Sequence, residues 1–243
     1  MEDRIRQAGS TPGGLSDPVI VDFPLRGEWT AVNTPAHRIP SHGTDQLGQR
    51  YAYDLVRTDP ARRGVHLHPA GTIRSYLIGG RTRECYGWGQ PVHAPFDGKV
   101  IRAVDGVPER AWLHVTRELA LVLKNAVTFR PDEQGVAALA GNHVILRMDD
   151  EPTIHAVVAH LTTGSVAVEE GMAVRSGDLI GRVGHTGNST APHLHFQLMD
   201  GPDPLRAGGI PCAFRAYEAH RGGRWVRVER GFPRKGERIR SVS

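Results

Sequence analysis

The sequence predicts a mainly β protein: an antiparallel sheet or sandwich core with a partly helical insertion. Three observations predict it. The 243 residues include 29 Gly and 17 Pro, enough to punctuate the chain every few residues. The apolar runs between them are short and alternate with polar residues, the pattern of half-buried strands rather than helices. Two Asp-Gly pairs, Asp97-Gly98 and Asp105-Gly106, flank such a run, as tight hairpin turns do.

Taken in order, residues 1–20 read as a polar lead, and Val19–Leu25 as a first strand. Gly27–Asn33 reads as a second strand or an extended arm. Residues 34–50 are polar and turn-rich, with His37, His42 and Asp45. Tyr51-Ala52-Tyr53-Asp54-Leu55-Val56 has the aromatic and β-branched content of a strand. Its Asp54 shares a face with Ala52 and Val56, a costly place for a carboxylate without a partner or a metal. Residues 57–86 look irregular, and His66 and His68 within them read as loop residues. Strand texture returns over 89–106 and again at 141–148, 153–161 and 171–184. Between them, 107–140 breaks the pattern. Trp112, Val115, Leu119 and Val122 have helical spacing, so Glu109 to Val127 reads as one helix or two short ones. After a loop over 200–211, Arg224–Val228 reads as one further strand. The closing Arg-Lys-Gly-Glu-Arg-Ile-Arg reads as a solvated tail.

Composition excludes several function classes. Charged residues are 23% and hydrophobic ones 39%, ordinary for a soluble domain. The net charge of +4 favours anionic partners, but no Lys/Arg run is dense enough for a nucleic-acid groove. No apolar run reaches membrane-span length, and the N-terminus shows no signal peptide. The two cysteines, Cys85 and Cys212, form no Cys-x-x-Cys pair, which argues against a zinc finger or a thioredoxin-type site. They read as reduced and partly buried.

The stretch richest in chemistry is Thr186-Gly187-Asn188-Ser189-Thr190-Ala191-Pro192-His193-Leu194-His195-Phe196-Gln197-Leu198. In a strand, i and i+2 share a face, so His193 and His195 stand together opposite Leu194, Phe196 and Leu198. Two imidazoles on a rigid strand suit a metal ligand beside an acid/base group.

The order of motifs closely resembles the M23 family of zinc metallopeptidases, the lysostaphin/LytM type of peptidoglycan endopeptidase. Those motifs are Pro-Val-His-Ala-Pro-Phe-Asp-Gly-Lys-Val, Gly-Asn-His-Val-Ile-Leu, Ala-His-Leu, Gly-Met-Ala-Val-Arg-Ser-Gly-Asp-Leu-Ile-Gly-Arg-Val-Gly and Gly-Asn-Ser-Thr-Ala-Pro-His-Leu-His-Phe. The resemblance implies an antiparallel β fold with an open groove and a peptidase core over 88–200, with the helical insertion at about 107–140. Residues 1–87 become an N-terminal extension carrying the first metal-ligand segment, and 201–243 a C-terminal extension. It implies Zn2+ held by His42, Asp54 and His195, with His160 and His193 as the catalytic pair. A peptidoglycan or other peptide substrate follows, with no nucleic acid. The family pattern departs at one point: Arg50, not His, stands four residues before Asp54. His42 is taken as the ligand instead, with the segment between looped out. Asp45 and His37 are the rivals to Asp54 and His42. His155 lies an odd five residues before His160, which predicts the opposite strand face. His93 and His143 fall where the family varies. His185 lies in the turn near the groove and is expected to be able to touch substrate. The resemblance places the protein at the cell wall, whereas the N-terminus alone reads as cytoplasmic.

Two other readings exist: an M23-like module that binds zinc or peptide without cutting, and a biotinyl or lipoyl carrier domain. The carrier needs an exposed Lys beside Met at a hairpin tip. No Met-Lys pair occurs here, and His-x-His has no role in such a domain.

Overall fold

The computed structural model describes residues 17–59, 61–62, 64–70, 78–114, 116–118, 120–121 and 135–242. One large sheet dominates. Its strands are β1 (Val19–Val21), β2 (Glu28–Asn33), β3 (Tyr53–Val56), β6 (Gly98–Val104), β8 (Asn142–Met148), β9 (His155–Leu161), β10 (Ala173–Val174), β12 (Leu194–Met199), β14 (Cys212–Arg221) and β16 (Arg238–Arg240). They run in the order β1-β14-β16-β2-β3-β12-β9-β8-β6-β10, with β13 (Gly209–Ile210) beside β12 and β15 (Arg224–Gly231) beside β14. Two small sheets accompany it: β5 (Pro91–His93) with β11 (Leu179–Arg182), and β4 (Gly80–Arg81) with β7 (Trp112–Leu113). The mainly β, largely antiparallel expectation holds. The exception is β1, which pairs in parallel with β14 and makes the sheet mixed at its edge.

The sheet closes over itself. Strands β14 and β3 are three steps apart, about 14 Å along a flat sheet. Yet the rings of Phe214 and Tyr53 have centroids 5.0 Å apart, and Phe214 and Phe196 are at 6.0 Å. Phe23 meets Phe214 edge-on at 5.0 Å, and the Tyr53 hydroxyl donates to the Cys212 carbonyl at 2.6 Å. This aromatic cluster is the middle of the main core. Val92, Ala94, Ile180 and Val183, in and beside the β5–β11 pair, join it from the same side.

Three expectations need correction. The C-terminal basic stretch is not a solvated tail: β16 pairs with both β2 and β14, and Ile239 is fully buried. Its charges are neutralised across strands, Arg238 by Glu28 and Arg240 by Glu218. Residues 212–240 supply three strands rather than one. Trp112 is in strand β7, paired with Arg81, not in a helix. Helical turns in that region comprise 116–118, 120–121 and α1 (Ala137–Ala140), while Val115, Leu119 and residues 122–134 of the expected helix and insertion lie outside those described. Cys85 and Cys212 are free and buried, and burial pushes the Cys85 thiol up to about 12. No described helix is long and apolar enough to cross a membrane.

Candidate metal centre

Three adjacent strands build the site on the side of the sheet opposite the aromatic core. In β12, Leu194, Phe196 and Leu198 enter the main core, so His195 and Gln197 face the other way. His195 is in register with Asp54 on β3 and with Ala159 on β9. Directly paired residues share a face, which sets Asp54 beside His195. On the far side of β3 a register shift between Ala31 and Asn33 places Asn33 opposite Asp54. Asn33 Nδ2 then donates to Asp54 Oδ2 at 2.6 Å.

His42 arrives from the loop before a 3-10 helix, η1 (Gln46–Tyr51). Its Nε2 is 2.9 Å from Asp54 Oδ2, and His195 Nδ1 is 2.9 Å from Asp54 Oδ1. His193 Nε2 lies 3.4 Å from the same Oδ1. Among the described residues, the ligand atoms of His42, Asp54 and His195 lie within 4.8 Å of one another. The rivals lie elsewhere. His37 is exposed, and Asp45 is an exposed carboxylate paired with Arg50.

The outer hydrogen bonds fix which ring nitrogens face inward. The Leu47 carbonyl can only accept, so Gln197 turns its Nε2 to it at 2.7 Å. Gln197 Oε1 then accepts from His195 Nε2 at 2.8 Å, leaving Nδ1 without a hydrogen in the neutral ring. Ser41 Oγ donates to the Gln49 carbonyl at 3.2 Å and so accepts from His42 Nδ1 at 3.0 Å. His42 Nε2 is therefore also a bare lone pair. Two nitrogen lone pairs thus point at a carboxylate from 2.9 Å, an arrangement that repels unless a cation lies among them. Two imidazoles and one carboxylate are a donor set that suits zinc, and three protein ligands leave a further position open. Burial alone would raise Asp54, but His42 and His193 overcome it and hold the carboxyl well below its usual range.

Gly48 shows how tightly η1 presses on this shell. It has φ +69°, and a Cβ there would lie 2.8 Å from Gln197 Nε2. Only glycine combines that backbone with that clearance.

His160 reaches the site through a break in alternation. Parity would place it with Ala156 and Val158, in the main core. However, Val158 pairs with Val144 while Leu161 pairs with Asn142, so β9 carries one extra residue between them. His160 takes φ 63° in this bulge, which turns its ring to the His195 side. Its centroid is 4.8 Å from His193 and 5.8 Å from His195. Nδ1 donates to the Thr186 carbonyl at 2.9 Å, which leaves Nε2 free. Burial, reinforced by His193 and His195, pushes His160 well below the ordinary histidine value. His193 similarly donates Nδ1 to the Ala191 carbonyl at 2.7 Å. Burial lowers His193, but Asp54 more than compensates, and the net shift is upward.

The bulge also corrects the reading of His155. It pairs with Met199, so it lies on the same sheet face as His195, not the opposite one. Four residues, about 13 Å along the strand, are what separate it from the site. His185 is fully buried, so it offers no surface to a ligand in the groove. His143 is buried and His93 half-buried, and each is tied by Nδ1 to a backbone carbonyl. His68 is buried against Glu84, and His66 lies outside the cluster. A cleft of about 660 Å³ lined by Asp22, Arg26, Arg215, Arg227 and Arg230, among others, contains none of the clustered histidines. The chemistry is defined by the residue constellation, not by that cleft.

Sequence reasoning missed Asn33, Ser41 and Gln197. Gln197 carried a signal, since i+2 from His195 must share its face. Asn33 carried none, because its place depends on the register shift.

Residues 126–207 match the model for peptidase family M23, so the resemblance carried by the motifs is borne out. His160, His193 and His195 fall within that segment; His42 and Asp54 precede it. Among solved structures, the chain is similar to the catalytic domain of the antimicrobial peptidase lysostaphin from Staphylococcus simulans, at 18% identity. That match covers 76% of this chain and 88% of that one, with a TM-score of 0.38. A catalytic-domain variant of the prophage-encoded M23 protein EnpA from Enterococcus faecalis is 15% identical over 75% of this chain and 88% of its own, with a TM-score of 0.40. A zinc containing peptidase from Vibrio cholerae is 19% identical over 63% of this chain and 37% of its own, with a TM-score of 0.31.

Proposed function

We propose that the protein is a zinc-dependent endopeptidase that hydrolyses peptide bonds in peptidoglycan cross-links or stem peptides. One observation carries the reading: the inward lone pairs of His42 and His195 meet the Asp54 carboxylate, with His160 and His193 alongside. The M23 match supports the reaction class. The charge of +4 suits peptides that bear free carboxylates.

In this reading His42, Asp54 and His195 hold the metal. Zinc bound there lowers the pKa of a coordinated water toward neutrality and polarises the scissile carbonyl. The remaining work falls to the chain. Asn33 and Gln197 fix the carboxylate and the His195 ring so that the inward atoms stay aligned. His160, kept neutral by burial, accepts the proton of the attacking water at Nε2 and returns it to the leaving amine. His193 presents Nε2 beside it and, when protonated, donates to the developing oxyanion.

The test is to incubate zinc-loaded protein with purified muropeptides and with Gly-rich peptides, then follow new amino termini by mass spectrometry. The proposal expects cleavage that a chelator stops and zinc restores. Intact peptides in the presence of stoichiometric zinc would make the protein a binding module instead.

A further inference from the structure

His193 stands at the end of a turn, residues 184–192, that no strand pairing holds. Something else must fix its ring. The Ala191 carbonyl only accepts, so His193 Nδ1 is the donor there at 2.7 Å. Ser189 Oγ donates to that same Ala191 carbonyl at 2.7 Å and so holds it in place, and it can only accept at Nδ1 of His193, 3.1 Å away, and at Nδ1 of His185, 3.0 Å away. His185 Nε2 in turn faces Glu118 Oε2 at 3.5 Å. His185, Ser189 and Glu118 are all buried. Burying a carboxylate is costly without a partner, and Arg110 supplies one with Nε 2.8 Å from Glu118 Oε2. The same guanidinium donates to the Gly187 and Ser189 carbonyls, each at 2.8 Å. Glu109 accepts the His185 backbone N–H at 2.6 Å and the Trp88 indole N–H at 2.8 Å. The side chains of Glu109, Arg110 and Glu118 therefore grip the turn by its backbone and by the His185 ring.

We propose that Glu118, His185 and Ser189, clamped by Arg110, are positioning residues that hold His193 as its Nδ1–H tautomer with Nε2 aimed at Asp54. The inference rests on the peptidase reading for its rate effect, but not for its structural content. It gives part of the 107–140 segment a role at the site: Gly184 and Thr186 tie the start of the turn to β9, and Arg110 with Glu118 braces the 187–189 part that carries Ser189.

The experiment compares zinc-loaded wild type with Ser189→Ala, His185→Asn and His185→Gln. An Asn amide occupies the Nδ1 position and keeps the link to Ser189, whereas a Gln amide reaches toward Nε2 and breaks it. We expect kcat on a muropeptide to fall about 10-fold in Ser189→Ala and His185→Gln, with KM and zinc content unchanged. His185→Asn should keep at least half of the wild-type kcat. Long-range nitrogen–proton NMR should show a single Nδ1–H tautomer for His193 in wild type and a mixture in Ser189→Ala. Equal losses in His185→Asn and His185→Gln, or a pure His193 tautomer in Ser189→Ala, would overturn the proposal. If wild type cleaves nothing, the peptidase reading fails, and the tautomer measurement still decides the positioning role.

Discussion

The two faces of β12 are both buried, yet they are built on opposite rules. Leu194, Phe196 and Leu198 enter a close-packed aromatic and aliphatic core, where shape and buried area set the energy. His195 and Gln197, one residue out of phase, enter a polar layer in which each ring nitrogen has an assigned partner. The first face gains stability from burial and loses it through cavities. The second buries a carboxylate among imidazole nitrogens, an arrangement that a bound cation would compensate. Neighbouring residues on one strand should therefore fail in different ways, and substitution can separate them.

The largest effect is expected on the polar face. His160→Ala and His193→Ala should each lower kcat by about 100- to 10,000-fold while zinc content and unfolding midpoint stay near wild type, as read by steady-state kinetics and denaturation. On the apolar face, Phe196→Ala should cost about 3–5 kcal/mol of stability in chemical denaturation, because its neighbours Tyr53 and Phe214 cannot close the cavity. Folded Phe196→Ala protein should still bind zinc. Smaller than both is the effect of Gln197→Ala, which removes the acceptor of His195 Nε2. It should weaken zinc binding about 10- to 100-fold in a competitive chelator titration, with little change in fold.

The smallest effect is with pH. His93, His143, His155, His160 and His185 are all pushed below the ordinary histidine value of 6.5, in each case chiefly by burial. A depressed value means that the unfolded chain takes up the proton first. Stability from these groups is then complete above about pH 6.5 and is lost as pH falls from there through the depressed folded values. His193, raised by Asp54 against the pull of burial, works in the opposite sense. Glu109, raised by its own burial, works in the same sense as His193; with five groups against two, the metal-free protein should unfold at lower temperature at pH 5 than at pH 7. An unchanged or higher midpoint at pH 5 would contradict this.

Much of the fold was legible because strand signals are local. Alternation located β3, β8, β9 and β12, and the spacing of His193 and His195 gave their common face. Pairing between distant segments was not legible. Arg238–Arg240 looks like a tail until β2 and β14 are placed on either side of it. The parity rule failed at His160 for the same reason. A bulge exists only relative to a partner strand, and the extra residue in β9 shows only against β8. The convergence of His42 on Asp54 needed η1 to take up the intervening chain. The Arg110–Glu118 brace lies in a stretch whose apolar spacing suggested only a helix.

The most direct test of the account is the zinc content, by elemental analysis, of wild type, His195→Ala, Asp54→Asn and Asp45→Asn purified side by side. The account predicts one zinc per chain in wild type and in Asp45→Asn, and none in His195→Ala or Asp54→Asn. Full occupancy in His195→Ala, or loss of zinc in Asp45→Asn, would contradict it.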